Sequence, residues 1–348
     1  MKRAWILSDG FCQAGDHGDG GVGRLKTAIC IDSGGTKTIC LVARADGTLL
    51  GAGVGGPGNE LHLRPGEASE ALAEALRQAL APLGGHAAAD AVYASAPGLP
   101  RGALEAALAG RVDCDAVSCE GDDLAAFRGA LASDRGVVVA AGTGSFAVAC
   151  DGRGRLATAG GWGPLLGDEG SAHDIGLSAL RAVVRAEDGR EAPTALSGLV
   201  REALGYVQAR DLRDIVYRQG LSRRRIGGLA VLVSAAASRG DAVASRILDD
   251  AGRSLASLGL AAAGQLEMTG EEFTYTATGG VVRAGELVLR AFRDAMGAGA
   301  PRATYVPCRY EPVIGAVILA FERAGVLLNE RALERLGSEW ARWRGNNC

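Results

Sequence analysis

The sequence predicts an α/β protein built from two similar lobes, and three observations support this class. The chain has 348 residues, which is long for one small core. A series of strand, glycine–threonine turn, strand, Asp-Gly turn and strand occurs twice, near residues 27–58 and 137–163. Apolar positions over residues 169–266 have helical spacing. Two lobes that each open with a β-meander are the simplest account.

The first lobe is predicted over residues 27–118, after a Gly- and Asp-rich flexible extension at 1–26. An apolar run predicts the opening strand, an Asp-Gly pair predicts a hairpin, and leucines at helical spacing predict the helix that follows. The predicted elements are strands at 27–31, 38–42 and 48–54, a helix at 66–84, and strands at 91–94 and 112–117.

The second lobe is predicted over residues 119–348, with a helical insertion and a C-terminal helix. The insertion, residues 169–266, has breaks near Gly189 and Gly220. The other predicted elements are helices at 122–133, about 284–297, 311–325 and 328–345, and strands at 137–139, 146–149, 156–159 and 273–278.

The composition limits which classes of binding partner and which cellular compartment we expect. A net charge of −3 gives no reason to expect nucleic acid or an anionic membrane as partner. No apolar stretch has the length of a membrane span, and the apolar run at 4–7 is short for a signal-peptide core. The eight cysteines are scattered, without a CxxC or zinc spacing. We therefore expect a cytoplasmic protein, and a homodimer stays open.

The first phosphate-binding candidate is the heptapeptide DSGGTKT at residues 32–38. Glycines such as Gly35 let backbone N–H groups approach a phosphate, and Thr36 and Lys37 add a hydroxyl group and a positive charge. Asp32, at the end of an apolar strand, suits a hydrated Mg²⁺. The alternative is an ordinary glycine hairpin with a turn-capping aspartate.

The second candidate is GTGS at residues 142–145, which includes Thr143 and Gly144 and occupies the same point of the second repeat. Two such turns facing each other across a cleft would hold the phosphates of one nucleotide. The G-x-G-x-x-G pattern at 53–58 and its variant at 142–147 are not dinucleotide fingerprints, because neither opens a helix after a strand. No Walker A sequence is present.

Asp122 and Asp123 open a predicted helix. An aspartate at a helix N-terminus commonly caps free N–H groups, which is the alternative to a catalytic role. The functional interpretation is that one of the two acts as a base toward a substrate hydroxyl group.

Glycine-rich stretches at residues 160–163 and 167–171 are the most unusual part of the chain. Trp162 lies among glycines that cannot pack around it, which favours a ring contact in a ligand pocket. Asp168 precedes a helix, so it is either a cap or a polar contact for a sugar. Gly279 and Gly280 follow a strand and would let the backbone approach a nucleotide, or they form a plain turn.

Together these motifs resemble the family of N-acetylglucosamine kinases and BadF/BadG/BcrA/BcrD-type ATPases, in the actin-like ATPase superfamily. The family pattern is D-x-G-G-T-x-T, an Asn after a glycine-rich strand end, an Asp before A-x-x-G-A, then G-T-G-S and G-G-W-G-x-x-x-G-D-E-G-S. The chain matches it in order over roughly residues 27–325, with residues 32–38, Asn59, Asp122, 142–145 and 160–171.

The resemblance implies a two-lobe actin-like (RNase H-like) fold with ATP and a sugar in a central cleft. It implies an ATP-dependent amino-sugar kinase, with N-acetylglucosamine 6-phosphate as the leading product. It places Thr36 and Thr143 at the phosphates and Gly279 and Gly280 beside the adenosine. It makes Asp122 the general base, and it assigns the sugar to Asn59, Asp122, Gly161, Trp162, Gly163 and Asp168.

The chain departs from the family pattern at one point, and this leaves two candidates for the general base. The family usually has Asn or Thr before the catalytic Asp and a small residue after it, whereas here Gly121 precedes Asp122 and Asp123 follows it. Counting back from the Gly-Ala pair at 129–130 selects Asp122, and Asp123 remains the alternative.

Several rival functions are kept. Glucosamine or N-acetylmuramic acid could replace N-acetylglucosamine as acceptor. The kinase and repressor family that shares D-x-G-G-T-K carries a Cys-rich zinc motif and E-x-G-H, both missing here. An activator ATPase of an acyl-CoA dehydratase or reductase needs cysteines for an iron–sulfur cluster. A non-catalytic sugar sensor is the remaining alternative, and a turnover assay separates it from an enzyme.

Overall fold

The computed structural model describes residues 24–58, 66–97, 99, 101–114 and 116–347, and their packing forms two compact units. The central unit is Asp134–Cys308. The terminal unit combines the described residues of Ile6–Ser133 with those of Arg309–Cys348. The predictions for residues 1–23 and for Asn59 lie outside the described residues.

The terminal unit contains a five-stranded sheet with helices packed on both of its faces. Strand order is β3-β2-β1-β5-β7, in which β1–β3 form an antiparallel meander and β5 and β7 run parallel to β1. Strands β4 and β6 pair separately. The elements of this unit are β1 (Thr27–Ser33), β2 (Thr38–Arg44), β3 (Leu49–Gly55), α1 (Glu67–Leu80), β4 (Ala87–Ala88), β5 (Ala91–Ser95), α2 (Arg101–Leu108), β6 (Val112–Asp113), β7 (Val117–Glu120), α3 (Asp122–Leu131), α12 (Pro312–Arg323) and α13 (Glu330–Asn347).

Side-chain alternation along β1 divides the core of the terminal unit between the two faces of the sheet. Ile29 and Ile31 pack toward α1. Ala28 and Cys30 pack toward α12, whose apolar side chains are buried. Helices α3 and α12 cross closely, since a Cβ atom on Gly315 would overlap the carbonyl oxygen of Ala125. The start of α3 is thereby held by α12.

The packing divides the chain at a different place from the predicted 118/119 boundary. Helices α3, α12 and α13 were predicted in the second lobe, but they share a hydrophobic core with β1, β2 and β5. Helix α12 is apolar on all sides, so it is stable only where a sheet face and another helix cover it. The single strand predicted at 112–117 is wrong: β6 pairs with β4, and β7 pairs with β5.

The central unit repeats the same sheet plan. Its order is β10-β9-β8-β11-β12, again an antiparallel meander followed by two parallel strands. The elements are β8 (Arg135–Ala141), β9 (Ser145–Asp151), β10 (Leu156–Gly160), α4 (Ala172–Glu187), α5 (Leu196–Leu204), α6 (Asp211–Tyr217), α7 (Arg223–Gly228), α8 (Ala230–Ser238), α9 (Ala242–Gln265), β11 (Thr274–Thr278), α10 (Gly280–Ala284), α11 (Glu286–Gly299) and β12 (Thr304–Tyr305).

This repeat confirms the α/β class and the two similar lobes predicted from the sequence. The helical insertion is more divided than predicted, because α4–α9 are separate helices and the first begins at Ala172 rather than 169. None of the helices in the described ranges is long and apolar enough to cross a membrane.

Candidate functional site

The first predicted phosphate turn, the GGTK turn (residues 34–37), joins β1 to β2. The Gly34 N–H donates to the carbonyl oxygen of Lys37 at 3.0 Å. Below it, the buried hydroxyl groups of Ser33 and Thr38 lie 3.1 Å apart. Residues 35–37 are exposed at the tip. The base of the turn is therefore held by the protein, and its polar tip is free to meet a ligand.

Gly58 ties the chain after β3 to this turn. Its N–H donates to the carbonyl oxygen of Gly34 at 3.0 Å. A Cβ atom at this position would overlap the Ser33 hydroxyl oxygen, so only glycine allows the approach. Asn59, predicted to contact the sugar, follows directly and lies outside the described residues.

Asp32 lies at the carboxyl edge of the terminal unit's sheet. It is half-buried, and it is the register partner of Ser95, which in turn pairs with Glu120. The Ser95 hydroxyl is buried and has no hydrogen-bond partner among the described residues. Glu120 is used by the fold, since it accepts from the Tyr93 hydroxyl at 3.0 Å. A carboxylate at this edge of the sheet, next to the GGTK turn, is the kind of group that holds a hydrated cation through water.

The two candidate bases begin α3. The N-cap is Gly121, with no side-chain cap. The carboxylate of Asp123 accepts from the Leu124 N–H at 2.9 Å, so this side chain bonds to the first turn. For Asp122 the structure describes the main chain only, as the first residue of the helix. Its role as base stays a prediction.

The second predicted phosphate turn, the GTGS turn (residues 142–145), joins β8 to β9. The Gly142 N–H donates to the Gly144 carbonyl oxygen, and the Ala172 N–H donates to the Gly142 carbonyl oxygen, both at 2.9 Å. Gly142, Thr143 and Gly144 are half-buried, and Ser145 is buried. The turn runs into β9 and not into a helix, so it does not have the structure of a dinucleotide fingerprint, as predicted.

The GDEGS loop (residues 167–171) packs directly under the GTGS turn. Asp168 is only 3% exposed and has a left-handed φ of 64°. Its Oδ1 accepts from the Ser145 N–H at 3.1 Å, and its Oδ2 accepts from Arg223. The Ser145 hydroxyl donates to the Glu169 carbonyl oxygen at 2.7 Å. These contacts make the loop a support for the turn.

Asp168 is not a helix cap, the alternative kept from the sequence. The N-cap of α4 is Ser171, whose side chain accepts from the Asp174 N–H at 3.2 Å. The contact of Asp168 with a sugar stays a prediction. Arg223 was missed by the sequence analysis: it is the first of three consecutive arginines, and nothing in that run marks which one reaches a carboxylate 55 residues away.

The GGWG loop (residues 160–163) begins at the last residue of β10, and exposed apolar side chains lie in it and just after it. Trp162 is 72% exposed, and Leu165 and Leu166 are 95% and 78% exposed. At its base, the Gly161 N–H donates to the carbonyl oxygen of Ser145 at 2.9 Å. Gly161 and Gly163 both have left-handed φ angles, of 74° and 81°. The loop is anchored on the GTGS turn while its indole ring faces outward.

Gly279 and Gly280 lie at the same edge of the central unit's sheet as the GTGS turn. β11 runs parallel to β8, so the carboxyl ends of both strands meet there. Gly279 has a φ of 107°, and a Cβ atom on it would overlap the carbonyl oxygen of Ala141, the last residue of β8. The predicted adenosine contacts thus lie next to the predicted phosphate turn.

A buried histidine completes the polar cluster below the turn. His173, on α4, is 8% exposed, and its burial and the nearby Arg223 guanidinium lower its pKa. It is neutral at pH 7 and adds no charge to the Asp168–Arg223 pair. Within the described part of the chain, no group of His, Cys, Asp and Glu residues could hold a metal ion directly. Cys30, Cys40 and Cys150 are buried within strands, a poor position for cluster ligands.

Two known proteins are similar to this chain over most of its length. A curated N-acetylmuramic acid/N-acetylglucosamine kinase from Clostridium acetobutylicum is 29% identical over 301 residues, which are 85% of this chain and 98% of that one. A solved structure from Chromobacterium violaceum, assigned provisionally as an N-acetylglucosamine kinase, is 26% identical with a TM-score of 0.65, over 85% of this chain and 99% of that one.

A glucokinase of the ROK family from Streptomyces griseus, solved with glucose and AMPPNP, is similar in fold. Its TM-score is 0.53 at 19% identity, over 85% of this chain and 99% of that one. These likenesses confirm the two-lobe fold of actin-like sugar kinases. The BadF/BadG/BcrA/BcrD ATPase family model matches residues 29–320. The chain therefore belongs to the BadF/BadG/BcrA/BcrD ATPase family.

Proposed function

We propose that this protein is an ATP-dependent sugar kinase that transfers the γ-phosphoryl group of ATP to a hydroxyl group of an amino sugar. N-acetylglucosamine, phosphorylated at position 6, is the leading acceptor. The observation that carries the proposal is the joining of the GTGS turn to the GDEGS and GGWG loops by hydrogen bonds through Ser145. A nucleotide-type turn and a loop suited to a sugar are thereby built as one piece.

In this proposal each of the two glycine–threonine turns is a phosphate-binding element. The GGTK turn offers the exposed Gly35, Thr36 and Lys37 to the phosphates. The GTGS turn offers Thr143 and the backbone at Gly144. Phosphoryl transfer depends mainly on positioning and charge stabilisation, so rigid turns of this kind supply what the reaction needs. Gly279 and Gly280 leave room beside the second turn for the adenosine.

The sugar is proposed to stack on Trp162 and to bond to the backbone at Gly161 and Gly163, with Asn59 as a further contact. An exposed indole ring gives a flat apolar surface for a pyranose. Asp122 is proposed as the base for the acceptor hydroxyl group. It is the first residue of α3, a ten-residue helix.

Mg²⁺ is the expected metal, and it would be held mainly by ATP and water, with Asp32 as the second-sphere carboxylate. The place of Asp32 near the end of β1, next to the GGTK turn, supports this assignment. The ion supplies charge neutralisation for the transferred phosphoryl group. Removal of Mg²⁺ by a chelator should abolish turnover, and undiminished activity without it would contradict the assignment.

The test is an ADP-release assay with N-acetylglucosamine, glucosamine, N-acetylmuramic acid and glucose as acceptors. The highest kcat/KM is expected with N-acetylglucosamine. N-acetylmuramic acid is the second candidate because the Clostridium relative is named for both sugars. ADP release that is equal with and without every sugar would reject the kinase and favour the activator-ATPase alternative.

A further inference from the structure

Arg223 forms an ion pair with Asp168, and no sequence motif predicted this contact. Its Nη2 donates to the Asp168 Oδ2, while the Asp168 Oδ1 accepts from the Ser145 N–H. The two oxygens of one buried carboxylate therefore link α7 to the GTGS turn. The guanidinium group also lies against the turn itself, since a Cβ atom on Gly144 would be 2.7 Å from Nη2.

The helix that carries Arg223 is held firmly in place. α7 packs on α4 so closely that a Cβ atom on Gly176 would overlap the carbonyl oxygen of Ile226. The N-cap of α7 is Ser222, whose side chain accepts from the Arg225 N–H. α4 itself begins directly after the GDEGS loop. The backbone at Arg223 is therefore fixed, because α7 carries it and α7 packs against α4.

The Asp168–Arg223 pair is largely buried, so the loss of either charge has a high energetic cost. Asp168 is 3% exposed, and the Arg223 side chain is 26% exposed. The Arg223 Nε is buried and has no partner among the described residues. A buried carboxylate that loses its cation is left as an uncompensated charge, which its surroundings cannot tolerate. Without Arg223 the loop would rearrange, and the Ser145 N–H would lose its acceptor.

We propose that Arg223 is a positioning residue for the GTGS turn and that it acts through Asp168. The proposal rests on the proposed function, in which this turn holds the phosphates of ATP. Loss of Arg223 should therefore weaken the use of ATP more than the use of the sugar. Arg223 is not assigned a contact with either substrate.

The experiment compares Arg223→Met, Arg223→Lys, Asp168→Asn and the double variant Arg223→Met/Asp168→Asn in the ADP-release assay. Arg224→Met, which changes the exposed neighbour, is the matched control. Arg223→Met should raise KM for ATP about 10- to 100-fold, as expected for a hydrogen bond to a charged group, and should raise KM for the sugar by a smaller factor. Arg223→Lys should recover part of the loss, because an ammonium group keeps the charge but not the planar geometry.

The double variant tests whether Arg223 acts through Asp168. KM for ATP should then equal that of Asp168→Asn alone, because residues in one network are not additive. Losses that multiply would overturn the proposal, and so would a rise in KM for the sugar with KM for ATP unchanged. A lower melting temperature with unaltered kinetic constants would also overturn it, since Arg223 would then serve stability only.

Two further readouts keep the result decisive. If Arg223→Met does not fold, the comparison of Arg223→Lys with Arg224→Met decides: KM for ATP should rise in Arg223→Lys, by less than the factor expected for Arg223→Met, and should stay at the wild-type value in Arg224→Met. If the wild-type protein phosphorylates no sugar, the proposed function fails by itself. The affinity for a fluorescent ATP analogue then tests the positioning role, and equal affinities of wild type and Arg223→Met would reject it.

Discussion

Replacing Gly144 by alanine tests whether the GTGS turn is fixed by the groups packed below it. A Cβ atom at this position would lie 2.6 Å from the Asp168 Oδ1 and 2.7 Å from the Arg223 Nη2. Both atoms belong to a buried ion pair, and Oδ1 also holds the Ser145 N–H. Neither group can turn away without breaking one of these bonds. The added methyl group must therefore displace either the pair or the turn by several tenths of an ångström.

The size of the effect follows from this overlap. Overpacking of a well-packed site costs about 1–3 kcal/mol, and each kcal/mol lowers the melting temperature of a domain of this size by about 2–4 °C. Misplacement of a binding group by about 1 Å can lower the rate about 10²-fold. We therefore expect Gly144→Ala to lower both the melting temperature and kcat/KM for ATP.

Gly142 offers a matched control in the same turn. Apart from Gly142 itself and its two chain neighbours, no described residue has a heavy atom within 4 Å of the position of its Cβ atom, so Gly142→Ala should leave the melting temperature unchanged. Thermal unfolding and ADP-release kinetics of the two variants give the answer. If Gly144→Ala unfolds at the wild-type temperature and keeps its kcat/KM, the Asp168–Arg223 pair does not constrain the turn, and the argument fails.

Three further predictions concern the base, the core and pH. Asp122→Asn should lower kcat about 10²- to 10⁴-fold while Asp123→Asn loses little, because neighbouring helical residues point about 100° apart; a larger loss for Asp123→Asn in the same assay would move the base there. Gly315→Ala should destabilise the terminal unit by about 2 kcal/mol or more in urea unfolding, because its methyl group would overlap α3, whereas Gly102→Ala meets open space within the described part and should not destabilise it. Burial lowers the pKa of His173, so the unfolded chain takes up this proton first as the pH falls, and the unfolding free energy should decrease below about pH 6.5; urea midpoints between pH 5 and 8 should lose part of this dependence in His173→Gln, and an unchanged profile would contradict it.

Local patterns were enough to predict the meanders and their turns. The strand at residues 27–31 was found two residues longer, as β1, and the predicted hairpins at both repeats are present. Alternating apolar residues and glycine turns act over a few positions, so the chain carries this information without its partners. The sequence also indicated that the glycine neighbours of Trp162 cannot pack around it, and Trp162 is exposed; its contact with a ligand stays a prediction.

Contacts between distant segments could not be predicted in this way. The sequence did not indicate that α12 joins the N-terminal sheet, because an apolar helix shows that it is buried but not which surface buries it. It also gave two alternatives for Asp168, a helix cap or a sugar contact. The fold uses Ser171 as the cap and pairs Asp168 with Arg223.

The sequence by itself therefore determined the class of the fold, the two sheets and the positions of the glycine-rich turns, all of which follow from short-range spacing. Only the tertiary structure decided what holds those turns. The Asp168–Arg223 pair spans 55 residues, and the close crossing of α3 and α12 brings together two segments that are far apart in the chain. Such contacts depend on which surfaces bury each other. Asp168 and Arg223 meet because α7, which carries Arg223, packs beside the GDEGS loop.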